Sequence, residues 1–491
     1  MSKRNILSGT SGDALLLTLV KMMTIVLNFV VTRLLSQHLS LHDYGTYSQI
    51  LLLVSTVASL TILGMMDGVN FYYCSETDPE QRDRYVATLF SLQGIVSVAA
   101  GVIVMLLTQP LSVGFDNPDI RRLMIFAAAL PMLQNLMNML QVLLVSVGKA
   151  KVLAVRNLAV SLVRLAVVLV MTLLISDVAV LLTATLVMDV LQVVLFVVIL
   201  RKSQCGIPLQ KTDLRLVGQI FQYCIPMAMF ILVRAINRDL DKYMIGLWTD
   251  TETLAIYTNA SKPLPFDMIL HSFVTVLIPK VTRRVAAGEN EKALGLYGTM
   301  LELGCLTTIV PCVAALIAAP QLMQLLYSDK YAGGLTVFCL YIIVDLLQFT
   351  NMTMVLSAAK KTKTLMLLGF GTLGVNAVLN GVLYQVMGIA GPALATLIVT
   401  FLSGIMMMAL SAKELGAAFR RLFDWKFLLL FTVVNIAVAL PLWGLRIWLS
   451  SMGWHYLVIL AVAAGLYALA LFALYGKRLK RNMALLNQPE E

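Results

Sequence analysis

Charge is scarce in this sequence. Only 13% of its 491 residues are Asp, Glu, Lys or Arg, where a soluble chain carries about 25%. Long polar loops are missing too, which leaves no room for a soluble catalytic or nucleotide-binding domain. There is no GxxxxGK[ST], so ATP hydrolysis within the chain is excluded as a working hypothesis. HExxH, GxSxG and paired-carboxylate motifs are also absent. The six cysteines (Cys74, Cys205, Cys224, Cys305, Cys312, Cys339) include no CxxC pair, and four of them lie in apolar runs, where Cys acts as a small hydrophobe. No metal and no cofactor are expected. One GxGxxG does occur, Gly369 to Gly374, but it opens an apolar span with no strand before it and reads as helix packing.

What is present is apolar length. The sequence is 59% hydrophobic, with a mean hydropathy of +0.86. Fourteen stretches are long enough to cross about 30 Å of hydrocarbon. They lie near residues 12–35, 44–68, 84–107, 120–147, 150–175, 178–200, 217–247, 253–278, 294–319, 331–357, 364–387, 389–412, 427–449 and 455–475. The expected fold class is therefore an all-α, polytopic membrane protein. The segment at 12–35 runs long, contains Lys21 and lacks a clear small-residue cleavage site, so it reads as a retained first helix.

Basic residues are unevenly distributed between the two sides of these spans. On the side of the N-terminus lie 26 Lys and Arg; the other side has four, Arg121, Arg122, Lys330 and Arg446. The positive-inside rule then places both termini in the cytoplasm. An even number of spans requires the same. The net charge of +11 thus belongs to basic cytoplasmic loops and does not indicate nucleic-acid binding.

A few charges fall inside the spans, where each is costly. In residues 217–247, Arg234, Asn237, Arg238 and Asp241 follow i, i+3, i+4, i+7 spacing and form one stripe on a helix. A central Arg costs at least about 2.5–3.5 kcal/mol on insertion scales, so this stripe must face protein or water. Lys21 lies near the middle of the first span; it either lines a cavity or pairs with an acidic neighbour, and both readings are open. Arg238 has Asp239 and Asp241 as candidate partners, and Lys242 is placed to snorkel. Arg164 and Asp189 lie at matching depth on consecutive spans, so a structural pair and a cavity role for Arg164 are both open. The eighth span holds Lys262, Pro263, Pro265, Asp267 and His271. Its prolines break or kink the helix, as a gate or as an irregular entry. Asp345, Glu302, Asp189 and Asp267 are candidates for proton or sodium coupling, or else hydrogen-bonded carboxyl groups. Asn135, Asn138, Asn376 and Asn380 fit sugar contacts and interhelical hydrogen bonds equally.

The chain also carries a faint repeat. TRLLSQHLSLHDYGTYSQ (Thr32 to Gln49) matches KYMIGLWTDTETLAIYTN (Lys242 to Asn259) at an offset of 210, aligning Tyr47 with Tyr257. Each is a helix end, a short polar loop, a small residue and then x-Tyr. Lys21 then corresponds to Ile231, about one turn from Arg234. Repeated halves are common in transporters that bind substrate near the midplane.

The LHDYGTYSQ and ETLAIYTNASK stretches, the DKYMIG run (Asp241 to Gly246) and the fourteen-span plan resemble one family. It is the polysaccharide-export branch of the multidrug/oligosaccharidyl-lipid/polysaccharide exporter superfamily, and the resemblance covers essentially the whole chain. It implies two six-helix lobes around a central cationic cavity, here 1–210 and 211–413, with an added helix pair and tail over 414–491. It also implies a bacterial inner-membrane flippase, not an enzyme, for undecaprenyl-diphosphate-linked oligosaccharide such as an O-antigen repeat unit. Membrane lipid and polysaccharide-assembly proteins are the implied partners. Lys21, Arg234, Arg238, Arg164 and Lys262 are the candidates for the diphosphate and cavity. The related lipid II flippases line their cavity with several arginines from the first two spans, whereas here the second span has no basic residue. Drug exporters of the superfamily usually have twelve spans, many with an acidic cation site. A glycan polymerase or ligase would need a long extracytoplasmic loop.

The orientation is directly testable. Alkaline phosphatase fused after Asn117 should be active, and fusions after Gly288 or Leu479 inactive; the reverse pattern would invert the topology.

Overall fold

Apolar runs of this length can hydrogen-bond their backbone in lipid only as helices or closed barrels. The helix solution is the one adopted in the computed structural model, which describes residues 10–147, 149–174, 177–202, 206–267, 270, 277, 280–285, 287–359 and 361–486. No strand occurs among the described residues. The helices are α1 (Thr10–His38), α2 (Leu41–Thr61), α3 (Met65–Ser75), α4 (Pro79–Leu106), α5 (Thr108–Gly114) and α6 (Ile120–Ser146). Next come α7 (Ala150–Leu174), α8 (Val178–Lys202), α9 (Val217–Trp248) and α10 (Thr251–Ala260). After these follow α11 (Asn290–Ile317), α12 (Ala319–Leu326), α13 (Leu335–Leu347), α14 (Met354–Ala358), α15 (Thr362–Met387), α16 (Ala390–Glu414), α17 (Trp425–Ser451) and α18 (Tyr456–Leu486). Most of them fall in the expected segments; α3 runs past the end of the second, α5 and α12 are short additions between spans, and much of the eighth segment, 253–278, lies outside the described residues. Among the described residues ten helices are long and apolar enough to cross a membrane, and the bent pair α2–α3 adds an eleventh.

The chain divides into two compact units, Met1–Ala255 and Ile256–Glu491. In the first, α6 is the central helix and packs against α2, α3, α4 and α8, while α1 packs along α7. Its core includes Met65, Val69, Leu89, Met139, Leu140, Leu143, Phe196 and Ile220, all fully buried. Apolar side chains also cover the outside, such as Ile95, Val98 and Val102 on α4 and Val187, Leu191 and Val194 on α8. Such an outer surface suits lipid and would be a liability in water.

The second apolar segment is broken, a feature its composition does not announce. α2 and α3 meet at 43° through Leu63 and Gly64, both with positive φ (45° and 70°). Gly64 is required there twice over, because a Cβ would also lie 2.4 Å from the Cys224 carbonyl oxygen of α9. Asn135 of α6 braces the break: its Nδ2 donates to the Ala58 carbonyl (3.0 Å) and to Thr61 Oγ1 (2.8 Å). For Asn135, interhelical hydrogen bonding is the role observed.

The repeat is visible in the helix boundaries. α1 ends at His38 and α9 at Trp248, while α2 begins at Leu41 and α10 at Thr251, each pair 210 residues apart. The caps correspond as well. Ser40 Oγ accepts the Asp43 N–H (3.0 Å), and Asp250 Oδ1 accepts the Thr253 N–H (2.7 Å). The two hairpin tips touch each other, once at equivalent positions. His42 Nδ1 lies 3.5 Å from Glu252 Oε1, and Gly45 approaches so closely that a Cβ would sit 2.1 Å from the Thr251 carbonyl oxygen.

In the second unit α11 is central, packing against α13, α17 and α18. Its core contains Tyr297, Leu301, Leu303, Cys305, Val355, Phe431, Ala463 and Tyr467. The last helix pair is thus part of this unit's core. Gly45→Ala would press a methyl group into backbone that cannot swing aside. It should cost about 1–3 kcal/mol, read as a lower melting temperature of the purified protein; an unchanged melting temperature would refute the close approach.

Candidate functional site

Helix α9 is 32 residues long and concentrates its charge in its second half. Packing against α2, α3 and α4 buries one side and leaves the other open. Arg234 and Arg238 are one turn apart (i, i+4) and both exposed, Asn237 is half-buried, and Asp241 is buried. The expected polar stripe therefore divides: its acidic end faces protein and its two arginines face outward.

Asp239 holds the cations in place. Arg238 Nη2 and Nε donate to Asp239 Oδ2 at 2.9 and 3.2 Å, and Lys242 Nζ donates to Oδ1 at 2.8 Å. Of the two acidic candidates, Asp239 is the one bonded to the Arg238 guanidinium. Lys242 is paired as well, with its side chain only 15% exposed, so it does not snorkel. The Arg238 side chain keeps 61% exposure and also donates to Ser55 Oγ on α2 (3.3 Å). One turn on, the Tyr243 hydroxyl donates to the Leu52 carbonyl (3.0 Å) and bonds Thr56 Oγ1. One carboxylate thus meets two cations, leaving the trio with a net positive charge and the Arg238 fork anchored at its base.

The α7–α8 hairpin carries a second polar network. No direct ion pair joins Arg164 to Asp189 among the described residues. Instead Gln192 Nε2 donates to Asp189 Oδ1 (3.0 Å), and Arg156 Nη2 donates to Gln192 Oε1 (2.6 Å). The Arg156 guanidinium lies over the Phe196 ring at 4.0 Å. An arginine stem is long enough to reach along the helix from a flanking position, so Arg156 reaches Asp189 through Gln192 while Arg164 remains exposed.

The remaining candidates are dispersed. Lys21 lies in α1 and Asp267 in a short 3₁₀ turn, Pro265–Asp267; both side chains, and His271 entirely, lie outside the described residues. In the second unit, Lys262 Nζ donates to Asn259 Oδ1 (2.9 Å). The two prolines do end the helix: α10 stops at Ala260, and the stranded Leu264 N–H is accepted by Asp345 Oδ2 (2.8 Å). Glu302 forms an ion pair with Arg478 and accepts from Asn482 Nδ2 (2.7 Å), tying α11 to α18. Arg478 also stacks over Phe427 (3.6 Å) and bonds Asp424 Oδ2 (3.3 Å). The Phe427 N–H, together with Arg478, holds the Asp424 carboxyl below the usual carboxylate range.

An aromatic cluster escaped sequence reading. Phe71 stacks on Tyr223 at 4.3 Å and Tyr72 on Tyr85 at 4.2 Å, and the Tyr72 and Tyr85 hydroxyls donate to Gln219 O (3.0 Å) and Oε1 (2.8 Å). Its one local signal is the run of aromatics Phe71, Tyr72, Tyr73 at the end of an apolar segment.

The fold of this helical chain is similar to those of solved membrane transporters. The structure is similar to lipid II flippase MurJ in an inward closed conformation, with a TM-score of 0.71 at 14% identity over 94% of this chain and 99% of that one. An inward-facing multidrug resistance MATE transporter gives 0.65 at 14% identity over 82% and 98%. A transporter of the superfamily from Pyrococcus furiosus, described by a reversed polarity of its binding pocket, gives 0.55 at 14% identity over 82% and 94%. No curated protein matches the chain in sequence. The family model "Polysaccharide biosynthesis protein" matches residues 30–335, and the chain belongs to that family.

The pairing at Asp239 has a specific signature. Asp239→Ala should destabilise the protein by about 3 kcal/mol, because two cations lose their partner. Adding Lys242→Gln should recover part of that loss, and a strictly additive double variant would contradict the shared pairing.

Proposed function

We propose that the protein is a secondary flippase that moves undecaprenyl-diphosphate-linked oligosaccharide across the bacterial inner membrane, by alternating access, for surface polysaccharide assembly. The observation that carries this reading is the pair of exposed arginines on α9. Guanidinium forks suit phosphate oxygens bidentately, and a dry or partly dry site makes each such contact stronger than in water. Arg234 and Arg238 receive the diphosphate, with Lys21 as the first-repeat counterpart one turn from the Arg234 level and Arg164 and Lys262 as further cavity cations. The polyprenyl tail stays in lipid throughout. Membership of a polysaccharide biosynthesis family supports a glycan cargo over an organic cation.

Among the carboxylates, Asp345 is our first assignment for proton or sodium coupling. Its bond to Leu264 links it to the proline-broken segment that we assign as the gate, where Asp267 also lies. Glu302 and Asp189, engaged by Arg478 and Gln192, are assigned structural work. We assign both termini to the cytoplasm, within reach of polysaccharide-assembly proteins there.

In a deletion strain without a redundant exporter, lipid-linked oligosaccharide should accumulate on the inner leaflet and surface glycan should disappear. Normal surface glycan would refute the function. Arg234→Ala and Arg238→Ala should each lower export about tenfold at normal protein levels, as expected for losing one charge-assisted contact. Full export by both would remove them from the site.

A further inference from the structure

A groove of about 630 Å³ runs between α7 and α8 on the outer surface of the first unit. Its walls are apolar: Val155, Val160 and Val163 from α7 face Leu191, Leu195 and Ile199 from α8. Val155 and Leu191 are about 60% exposed, so among the described residues nothing covers these two positions. The groove extends from Val152 to Val163 on one helix and from Met188 to Ile199 on the other. At 1.5 Å per residue that is roughly 16 Å, close to half of an approximately 30 Å hydrocarbon core. It is one leaflet deep.

Its two ends differ in charge. At the end where α7 begins and α8 finishes, Lys149, Arg201 and Lys202 are all exposed. Arg156 lies one turn inside that end, turned onto Phe196 and Gln192, which keeps its polar edge off the apolar walls. The acidic groups nearby are Asp189, engaged by Gln192, and Asp177, which caps the opposite end of α8 through the Ala179 N–H (2.7 Å). The basic end therefore has no acidic side chain of its own on either helix.

We propose that this groove is a binding site for an anionic phospholipid. One acyl chain lies along Val155, Val163, Leu191 and Leu195, and the headgroup phosphate rests on Lys149, Arg201 and Lys202. Basic pockets at helix ends attract anionic headgroups, and the groove accounts for a chain of one-leaflet length, not for a long polyprenyl tail.

The test is native mass spectrometry of the purified full-length protein. It is released from micelles doped with phosphatidylglycerol or with phosphatidylcholine of identical acyl chains. Wild type should retain phosphatidylglycerol in preference to phosphatidylcholine. Replacing Lys149, Arg201 and Lys202 by Gln should reduce that preference by about fivefold per cation. Leu191→Trp and Val155→Trp, both at exposed positions that leave the core intact, should lower retention of either lipid. Equal retention of the two lipids by wild type would overturn the proposal. So would unchanged phosphatidylglycerol retention in both tryptophan variants, or displacement of phosphatidylglycerol by equimolar undecaprenyl phosphate.

Discussion

Asp239 bonds Arg238 and Lys242 at once, and the exposed cationic face of α9 depends on that sharing. Unpaired, each cation in the apolar zone would cost about 2.5–3.5 kcal/mol on insertion scales. A single carboxylate between two cations lowers that cost without cancelling the charge, since one positive unit is left over. The leftover unit is carried on Arg238, whose side chain is the most exposed of the three. Ser55, Thr56 and Leu52 on α2 then fix the helix that bears it. Nearer its start, α9 is seated by Cys224 against Gly64, where the α2–α3 break makes room for it. A helix that is electrostatically awkward in isolation is held by contacts at Cys224, Arg238 and Tyr243.

The repeat explains why this geometry recurs. The α1–α2 and α9–α10 hairpins have the same boundaries and the same cap positions at an offset of 210, and they meet at His42 and Glu252, which are equivalent residues. A contact between equivalent positions is what approximate twofold symmetry produces, and repeats related in this way are a common plan of transporters. Gly45 is the point where that plan becomes sterically demanding.

Much of this architecture could be read from residues alone, because hydrophobic length and proline placement act locally. The long apolar helices and the end of α10 before Pro263 both follow from the chain. Partner choice does not. Spacing left Asp239 and Asp241 as equal candidates for Arg238, and only the packing of α9 decides for Asp239. The ion pair between Glu302 and Arg478 joins residues 176 positions apart, and the reach of Arg156 to Asp189 runs through Gln192 on another helix. The α2–α3 break was hidden because Gly64 is one glycine among 30, and its need for positive φ appears only with α9 against it.

The central claim is that the Arg234–Arg238 face of α9 carries a lipid-linked diphosphate glycan across the bilayer. Its most direct measurement is transbilayer movement of undecaprenyl-diphosphate-linked oligosaccharide in proteoliposomes containing the purified protein. Wild type should move the lipid, and the Arg234→Ala, Arg238→Ala double variant should fall to the rate of protein-free liposomes while remaining folded. Equal rates for wild type and the double variant would contradict the account.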